Sequence, residues 1–526
     1  MSGGAGAAHI FVEDEAAPAR PAAWRRGSVA LMLAIAACLF VFHARIYWQW
    51  TEDDAFITYR YARNVARGEG FVFNPGERLE GYSNFTWVLL GAVAENAGWD
   101  PERTAKSVGL AAGIVALLLS WAVARKAWPQ CGLCALLAPY TLAMSPVLAQ
   151  HAVAGLETSV FAALLAGALL LAASNRRPGA GHSIGLAVVL LLLSLTRPEG
   201  ALVAGALLVM RWLLLARKDA GAGRHLAGVS VVFILLLTTY IAWRWSYYDA
   251  AFPNTFYAKA RGGLHGIYDG VQYTLDFTRD SGGPLFVALS LVPVLLGPVP
   301  PALWMGLGVL ATYLVFIVLA GGDWMYHYRF FAHVLPVLAA LIAVGLARML
   351  DLVHAGTWRA LAVYATAALV LLVTFMGIGN TELRVARAVL PALASHNYLS
   401  QNYEELGLWF AENTAEDATV AISDVGAVGY YSERRILDMF GLIDPRIARL
   451  RGRMHYKADP RYVLSREPDY IVLVSLNDQG AGYSFQRIPD YSMNALPAFH
   501  EQYELIRTVP QHWNNEFVLV YRRRGA

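Results

Sequence analysis

Charged residues are scarce in this sequence: they make up 15% of its 526 residues, whereas hydrophobic residues make up 57%. Soluble domains carry about 25% charged residues, so this composition excludes an ordinary soluble protein and indicates a polytopic membrane protein. The net charge is only +3, and most Lys and Arg residues flank apolar segments. Such a pattern orients a chain in a bilayer and argues against nucleic acid as a partner.

Cysteine is scarce too, with only Cys38, Cys131 and Cys134 present, all in or beside apolar segments. Three cysteines so placed imply no disulfide framework. Cys131 and Cys134 form a CxxC pair, but no second pair of ligands accompanies it, as a zinc or redox site would require. We interpret both as small apolar residues of a membrane helix.

Eleven apolar segments are candidates for membrane spans, because a helix needs about 20 apolar residues to cross the bilayer. Residues 1–28 before them are predicted to be a disordered cytoplasmic segment. No small-residue cleavage site follows the first apolar run, so we expect a retained span instead of a signal peptide. The predicted spans are 29–48, 104–126, 131–149, 157–173, 183–195, 199–216, 226–248, 284–297, 301–320, 329–350 and 358–379.

A further apolar stretch, residues 84–98, is predicted to lie along the outer membrane interface. Basic clusters are expected to face the cytoplasm, and Arg25/Arg26 and Arg125/Lys126 do so together only if two crossings separate them. Residues 49–103 then form one long external loop. The same counting places the segment 321–328 and everything after about residue 380 outside. Short β-rich clusters in residues 381–526 predict a soluble α/β domain there.

Two adjacent acids, Asp53 and Asp54, stand near the start of this external loop. Ionisable groups at a membrane boundary are costly and tend to persist where they have a role, so one interpretation is a general base whose neighbour holds a substrate hydroxyl or a metal ion. The other is structural: Asp53 caps a helix over residues 55–67, and Asp54 interacts favourably with its dipole. Both interpretations can hold together.

Turn residues later in the loop are predicted to fold it back, so that Glu80, Tyr82 and Asn84 approach the two acids. A divalent cation at the acids, with Glu80 or Glu157 as a further ligand, is left open, because hard cations favour carboxylates. In the tail, Asp424, Asp438 and Asp444 lie near glycines, which fits either acceptor binding or turns at strand ends.

Six short motifs then occur in order on one predicted face of the membrane. Together they resemble the bacterial GT-C membrane glycosyltransferases, most closely the branch that contains the mycobacterial terminal β-(1→2) arabinofuranosyltransferase. The resemblance covers roughly residues 29–380, and the tail motif ISDVGAVGYYSERRILDMFGLIDP is also similar. The six motifs are EDDAFITYRYARN, FVFNPGERLEGYSNF, AGLET, TRPEG, FPNTFYAK and GGDWMYHYRF.

This resemblance implies an α-helical polytopic membrane protein with about eleven spans, residues 29–380, and an extracytoplasmic α/β domain, residues 381–526. It implies transfer of a sugar, with arabinofuranose as the first expectation, from a polyprenyl phosphate to an acceptor hydroxyl outside the bacterial cytoplasmic membrane. Asp53 and Asp54 occupy the positions of the family's acidic motif. Asp53 is our first candidate for the base and Asp54 a close second.

Other polar residues on the same predicted face are candidates for substrate contacts. A charged lipid phosphate leaves readily when cations stabilise it, so no general acid is expected. The candidates for the phosphate are Arg197, Lys259, Arg329 and Arg60, although each has an alternative as a loop or interface charge. The candidates for sugar or acceptor are Glu80, Tyr82, Asn84, His151, Glu157, Asn254, Asp323, His327 and Tyr328.

Two alternatives of other classes stay open at this point. A carrier or flippase for a lipid-linked sugar would also place acids and arginines along a pathway. The acids stand in an external loop and not at mid-span, and no inverted repeat is evident, which argues against it. A non-catalytic protein of cell-envelope assembly could keep the same fold.

Overall fold

The computed structural model describes residues 23–174, 179–259, 263–281, 284–296, 298–353, 399–452, 455–476, 482–511 and 516–525. Within the first five ranges the chain is almost entirely helical, with short 3₁₀ segments at Pro129–Leu136, Ala216–Lys218 and Tyr326–Tyr328. The helices are α1 (Ala23–Ile46), α2 (Asp53–Ala66), α3 (Phe85–Asn96), α4 (Pro101–Ala127), α5 (Leu137–Ala143), α6 (Pro146–Val153), α7 (Thr158–Ala172), α8 (Ala180–Thr196), α9 (Glu199–Leu214), α10 (Ala220–Tyr248), α11 (Asn254–Lys259), α12 (Gly263–Asp280), α13 (Pro284–Leu295), α14 (Pro301–Ala320), α15 (Arg329–Ala332) and α16 (Leu335–Val353).

Four helices in the described part of the chain are long and apolar enough to cross a membrane: α1, over Gly27–Ile46, and α4, α10 and α14. The helical segments Pro129–Ala143 and Pro146–Val153 would together make a fifth span, but their axes are bent by 57° relative to each other. Ten of the eleven predicted spans overlap a helix. The eleventh, 358–379, lies outside the described residues. Several of these helices are short, so the predicted number of eleven spans is not confirmed.

The predicted span 131–149 is not a continuous helix. Cys131 and Cys134 lie in a 3₁₀ segment, where Gly132 adopts a left-handed φ of 57°. Pro146 then starts α6 after a break. Proline lacks an amide donor and glycine tolerates a left-handed backbone, so these residues interrupt the α-helical hydrogen bonds.

The apolar stretch 84–98 is a helix, α3, of 12 residues. At about 1.5 Å per residue it extends roughly 18 Å, too short for the roughly 30 Å hydrocarbon core. Within the loop 49–103, α3 packs against α2.

The C-terminal part is a sheet domain, as the tail composition predicts. Its five strands have the order β2-β1-β3-β5-β4. Strand β1 pairs in parallel with β2 and β3, whereas β5 is antiparallel to β3 and β4. The predicted domain boundary near residue 380 lies outside the described residues. The elements are α17 (Leu399–Asn413), β1 (Thr419–Ile422), α18 (Gly426–Ser432), β2 (Arg435–Asp438), α19 (Pro445–Ala448), α20 (Pro460–Ser465), β3 (Tyr470–Ser475), α21 (Ile488–Asn494), α22 (Pro497–Gln502), β4 (Tyr503–Gln511) and β5 (Glu516–Arg523).

This domain packs directly on the loop of residues 49–103. One buried apolar cluster contains residues of both, among them Phe56 and Phe73 from the loop and Val428 from α18. Asn74 adds polar contacts with edge strand β2: its Nδ2 donates to the carbonyl of Ile436 at 2.9 Å, and its Oδ1 accepts from the Ile436 amide at 3.0 Å. The loop thus continues the hydrogen bonding of the sheet at its edge.

We predict that Asn74→Ala weakens this junction, because two buried backbone groups of Ile436 lose their partners. Each such loss costs about 1–3 kcal/mol. Limited proteolysis of the purified protein should then cleave the junction faster than in wild type. Asn413→Ala is the matched control, since its side chain bonds only within its own helix, at the exposed end of α17. Equal cleavage rates for the two variants would contradict the assigned role.

Candidate active site

Asp53 joins the loop of residues 49–103 to the C-terminal domain. Its Oδ2 accepts the amide of Gly426 and its Oδ1 accepts the amide of Ala427, each at 2.8 Å, at the start of α18. A Cβ at Gly426 would lie 1.9 Å from the Asp53 carbonyl oxygen, so only glycine permits this approach. Asp53 is the first residue of α2, and Glu52 before it is the extended N-cap. The expectation that Asp53 caps its own helix is therefore wrong: it caps α18.

Burial and, to a lesser extent, the nearby Asp424 carboxylate raise the pKa of Asp53 to about 7, although the backbone hydrogen bonds from Ala427 and Gly426 oppose this shift. Asp424 lies just after β1 and is paired with Arg487, and it accepts the Tyr403 hydroxyl at 2.7 Å. Burial opposes the ionisation of Asp424 as well, but Arg487 outweighs it and lowers the pKa of Asp424. Arg487 keeps Asp424 ionised. The pKa that is raised in this pair of acids is therefore that of Asp53.

Asp54 has a different environment from its neighbour. Its Oδ2 lies 3.4 Å from the Lys259 Nζ, and the two side chains are 16% and 35% exposed. Successive helical residues point about 100° apart, which separates the two acids onto different faces of α2. Asp54 is thus partly open to solvent beside a cation, whereas both oxygens of Asp53 bind the neighbouring domain.

A second acid–cation pair lies close by. Asp323 Oδ2 accepts from Arg329 Nε at 2.6 Å, and both side chains are buried. Burial opposes the ionisation of Asp323, but Arg329 and then Lys259 outweigh it and lower its pKa. Between the pair, His327 and Tyr328 have left-handed φ values of 56° and 55°. Such a backbone is costly for residues other than glycine, and it is found mostly where a site requires it.

Arg197 forms the centre of a buried ion network behind these residues. Its guanidinium pairs with Glu157 and, at 2.5 Å, with Glu199. Glu157 also accepts from Asn84 Nδ2 at 2.8 Å, and Asn84 bonds to Thr58 of α2. A buried ion network is costly unless all its members are paired. This one connects α2, α7 and α9, and it fixes Asn84 and Glu157 in place.

Other candidate residues lie at the junction with the C-terminal domain or α10. Glu80 pairs with Arg244 at 2.5 Å, and the Tyr82 hydroxyl lies 3.1 Å from that of Tyr248. Asn254 donates to the carbonyls of Gly441 and Leu442, and Arg60 donates to those of Phe73 and Glu433. These hydrogen bonds and ion pairs of the four candidates are therefore with structural partners and not with Asp54.

The remaining histidine and tyrosine candidates are His151 and the two residues with left-handed φ, His327 and Tyr328. His151 is fully buried in α6. His327 Nδ1 bonds to Gln150 of the same helix, and the Tyr328 hydroxyl donates to Asp280 at 2.5 Å. These contacts hold the 321–328 loop against α6 and α12.

The described residues do not fit a divalent metal at the acids. Among them, no group of three or more His, Cys, Asp or Glu side chains is placed to hold an ion. Glu80 and Glu157, the further ligands considered above, are paired with Arg244 and Arg197. Both Asp53 oxygens accept backbone amides, and therefore we derive no step through a metal.

Comparison with known structures decides the fold. ArnT from Cupriavidus metallidurans bound to undecaprenyl phosphate superposes with a TM-score of 0.58 at 14% identity, over 95% of this chain and 98% of that one. The archaeal oligosaccharyltransferase AglB from Archaeoglobus fulgidus, in complex with an inhibitory peptide and a dolichol-phosphate, gives 0.53 at 13% identity, over 86% and 70%. Both are GT-C glycosyltransferases. The chain has the GT-C fold.

Sequence comparison adds a relative and a domain family. The terminal β-(1→2)-arabinofuranosyltransferase of Mycobacterium tuberculosis is 30% identical over 251 residues, which are 44% of this chain and 38% of that relative. The match thus spans well under half of the relative's length. Residues 395–523 of this GT-C chain match a family described as a domain of unknown function (DUF8728).

Two functional candidates were not found from sequence. Gly426 is one glycine of a glycine-containing motif, and nothing else in the sequence indicates its role. Nothing in the sequence indicates a role for His455, which lies near Asp54 and Asp424. Only the close approach of the C-terminal domain to α2 reveals them.

We predict that Gly426→Ala separates α18 from α2, because the added methyl group collides with the backbone of Asp53. Overpacking of this kind costs about 1–3 kcal/mol. The thermal midpoint of the purified protein should fall, as measured by intrinsic fluorescence. Gly205→Ala in α9 is the control, since a Cβ there meets nothing within 4 Å. An unchanged midpoint for Gly426→Ala would contradict the close contact.

Proposed function

We propose that this GT-C chain is an inverting glycosyltransferase of the bacterial cytoplasmic membrane, with its active site on the outer side. It moves a sugar, most simply arabinofuranose, from a polyprenyl-phosphate donor to a hydroxyl of a cell-envelope glycan, lipid or protein. The observation that carries the proposal is Asp54, a partly exposed carboxylate that lies beside Lys259 near the start of α2. The fold and the names of the relatives support it.

Asp54 is the favoured base in this proposal, ahead of Asp53. The raised pKa of Asp53 would suit a base near neutral pH. Its two oxygens, however, each accept a backbone amide of the C-terminal domain, from Gly426 and Ala427. Asp54 keeps an open oxygen from which it can reach an acceptor hydroxyl. We therefore assign proton removal to Asp54 and domain docking to Asp53.

The reaction is a single displacement. Asp54 takes the proton of the acceptor hydroxyl while that oxygen bonds to the anomeric carbon of the donor sugar. The bond from this carbon to the phosphate oxygen breaks, and the polyprenyl phosphate leaves with the electron pair. Attack from the face opposite the phosphate inverts the anomeric configuration. One essential carboxylate suffices, unlike the paired acids of glycosidases.

Lys259 and Arg329 are the proposed cations for the leaving phosphate. Lys259 is the more exposed of the two and lies against Asp54, so it can exchange its partner for a phosphate oxygen. Arg329 is buried with Asp323 and contributes a fixed positive charge. Preorganised cations of this kind stabilise the charge that develops on the leaving group. Arg197 is already paired with two glutamates, so it acts at longer range.

We predict that Asp54→Asn folds and binds donor but loses transfer by about 10²–10⁴-fold, the usual effect of removing a general base. Asp53→Asn should retain measurable transfer but lose thermal stability, because an amide group can accept only one of the two backbone N–H groups. Transfer from a purified donor to a synthetic acceptor measures the first effect, and thermal unfolding the second. Full transfer by Asp54→Asn would refute the assignment of the base.

We also predict that Lys259→Met raises the KM for the donor and weakens inhibition by free polyprenyl phosphate, because one phosphate contact is lost. A lost charged hydrogen bond of about 1.5–3 kcal/mol corresponds to roughly 10–100-fold. Lys218→Met, in the short segment after α9, is the control. An inhibition constant unchanged in Lys259→Met would contradict this contact.

A carrier for lipid-linked sugar remains the alternative, and one experiment separates it from the transferase. The purified protein in detergent is given donor and acceptor, and free polyprenyl phosphate is measured. A transferase releases it in proportion to product, whereas a carrier leaves the sugar–phosphate bond intact.

A further inference from the structure

Aromatic rings of the 321–328 loop and of the C-terminal domain are in contact around His455. Trp324 of the loop is 36% exposed, and its ring meets the imidazole of His455 edge-on, with 5.2 Å between centroids. Phe440, which follows β2, packs on the same imidazole at 4.6 Å. His455 therefore connects the 321–328 loop to the C-terminal domain through these ring contacts.

His455 has a strained backbone conformation. Its φ is 70°, in the left-handed region that residues other than glycine rarely adopt. In the part of the chain that the structure describes, no residue hydrogen-bonds to its ring nitrogens, and its side chain is only half-buried. A strained residue whose polar atoms are left available is a reason to look for a ligand.

The position of His455 relates it to the proposed base. The charges that act on its imidazole are those of Asp424, Asp54, Arg487 and Lys259. Burial lowers the pKa of His455, although the two carboxylates oppose this shift. A neutral imidazole has one donor and one acceptor nitrogen, and a sugar hydroxyl can both accept and donate. The aromatic face of Trp324 offers the apolar C–H side of a sugar ring a surface to pack on.

We propose that Trp324 and His455 form a subsite for the acceptor saccharide, next to Asp54. The acceptor ring packs on Trp324 and bonds to His455 while one of its hydroxyls reaches Asp54. This inference rests on the proposed transferase function. It also assigns a role to the domain of residues 395–523: the domain supplies part of the acceptor site and docks it on α2.

The test uses the full-length protein in detergent with a synthetic oligo-arabinofuranoside as acceptor. Trp324→Ala and His455→Ala should raise the KM for this acceptor by roughly tenfold each, which corresponds to the loss of about 1.4 kcal/mol of acceptor binding. The KM for the donor should stay unchanged. His455→Gln, which keeps one donor and one acceptor, should restore most of the acceptor affinity. Tyr491→Ala, an exposed aromatic residue of α21, is the control.

Binding measured without turnover makes the two proposals separable. Saturation-transfer NMR with the same oligosaccharide and the Asp54→Asn protein reports acceptor contact even if no sugar is transferred. Binding that is lost in His455→Ala but kept in Tyr491→Ala supports the subsite, whatever the outcome of the transfer assay. Equal binding in the two variants, no binding in any protein, or a change in donor KM alone would overturn it.

Discussion

The contact of the Asp53 carboxylate with the first two amides of α18 is the constraint on which the proposed site depends. It joins residues that are more than 370 positions apart in the chain. Gly426 permits the contact because a side chain there would collide with the α2 backbone. Arg63 extends the same junction by donating to the carbonyl of Tyr430 at 2.9 Å. With α2 fixed in this way, Asp54 has a defined position relative to the C-terminal domain.

Charge burial explains why the rest of the site is arranged in pairs. Removing ions from water near a membrane costs several kcal/mol per ion, so isolated charges are avoided. Asp323 is paired with Arg329, and Arg197 with Glu157 and Glu199. The exception is the longer and more exposed pair of Asp54 with Lys259. That pair can be opened by substrate at the lowest cost, which is why we place the chemistry there.

Local patterns in the sequence predicted much of this architecture. Apolar length predicted most of the described helices, including the helix at 84–98, since these depend on nearby residues and on the bilayer. The placement of residues 49–103 outside the membrane, drawn from the positions of Arg and Lys, stays a prediction. The number of spans was not predictable, because short helices such as α7 and α8 depend on packing against neighbours. The CxxC region also differs from the continuous span predicted for it, because Gly132 and Pro146 interrupt its helix.

The roles of Asp53 and Asp54 could not be separated from sequence for a different reason. The two residues are neighbours with the same chemistry, and only the docking of a distant domain distinguishes them. The same long-range contact brings His455 towards Asp54, although nothing in the motif around residue 455 indicates it. Arg60, Glu80 and Asn254 illustrate the converse: their polar character suggested substrate contacts, and the structure shows them bonded to backbone or to Arg244.

The most direct test is a structure of the full-length protein with a non-hydrolysable phosphonate analogue of the donor. The account predicts that the phosphonate lies against Lys259 and that the anomeric carbon faces Asp54 across a space wide enough for one hydroxyl. A phosphonate bound beside Arg60, or an anomeric carbon facing a freed Asp53, would contradict it.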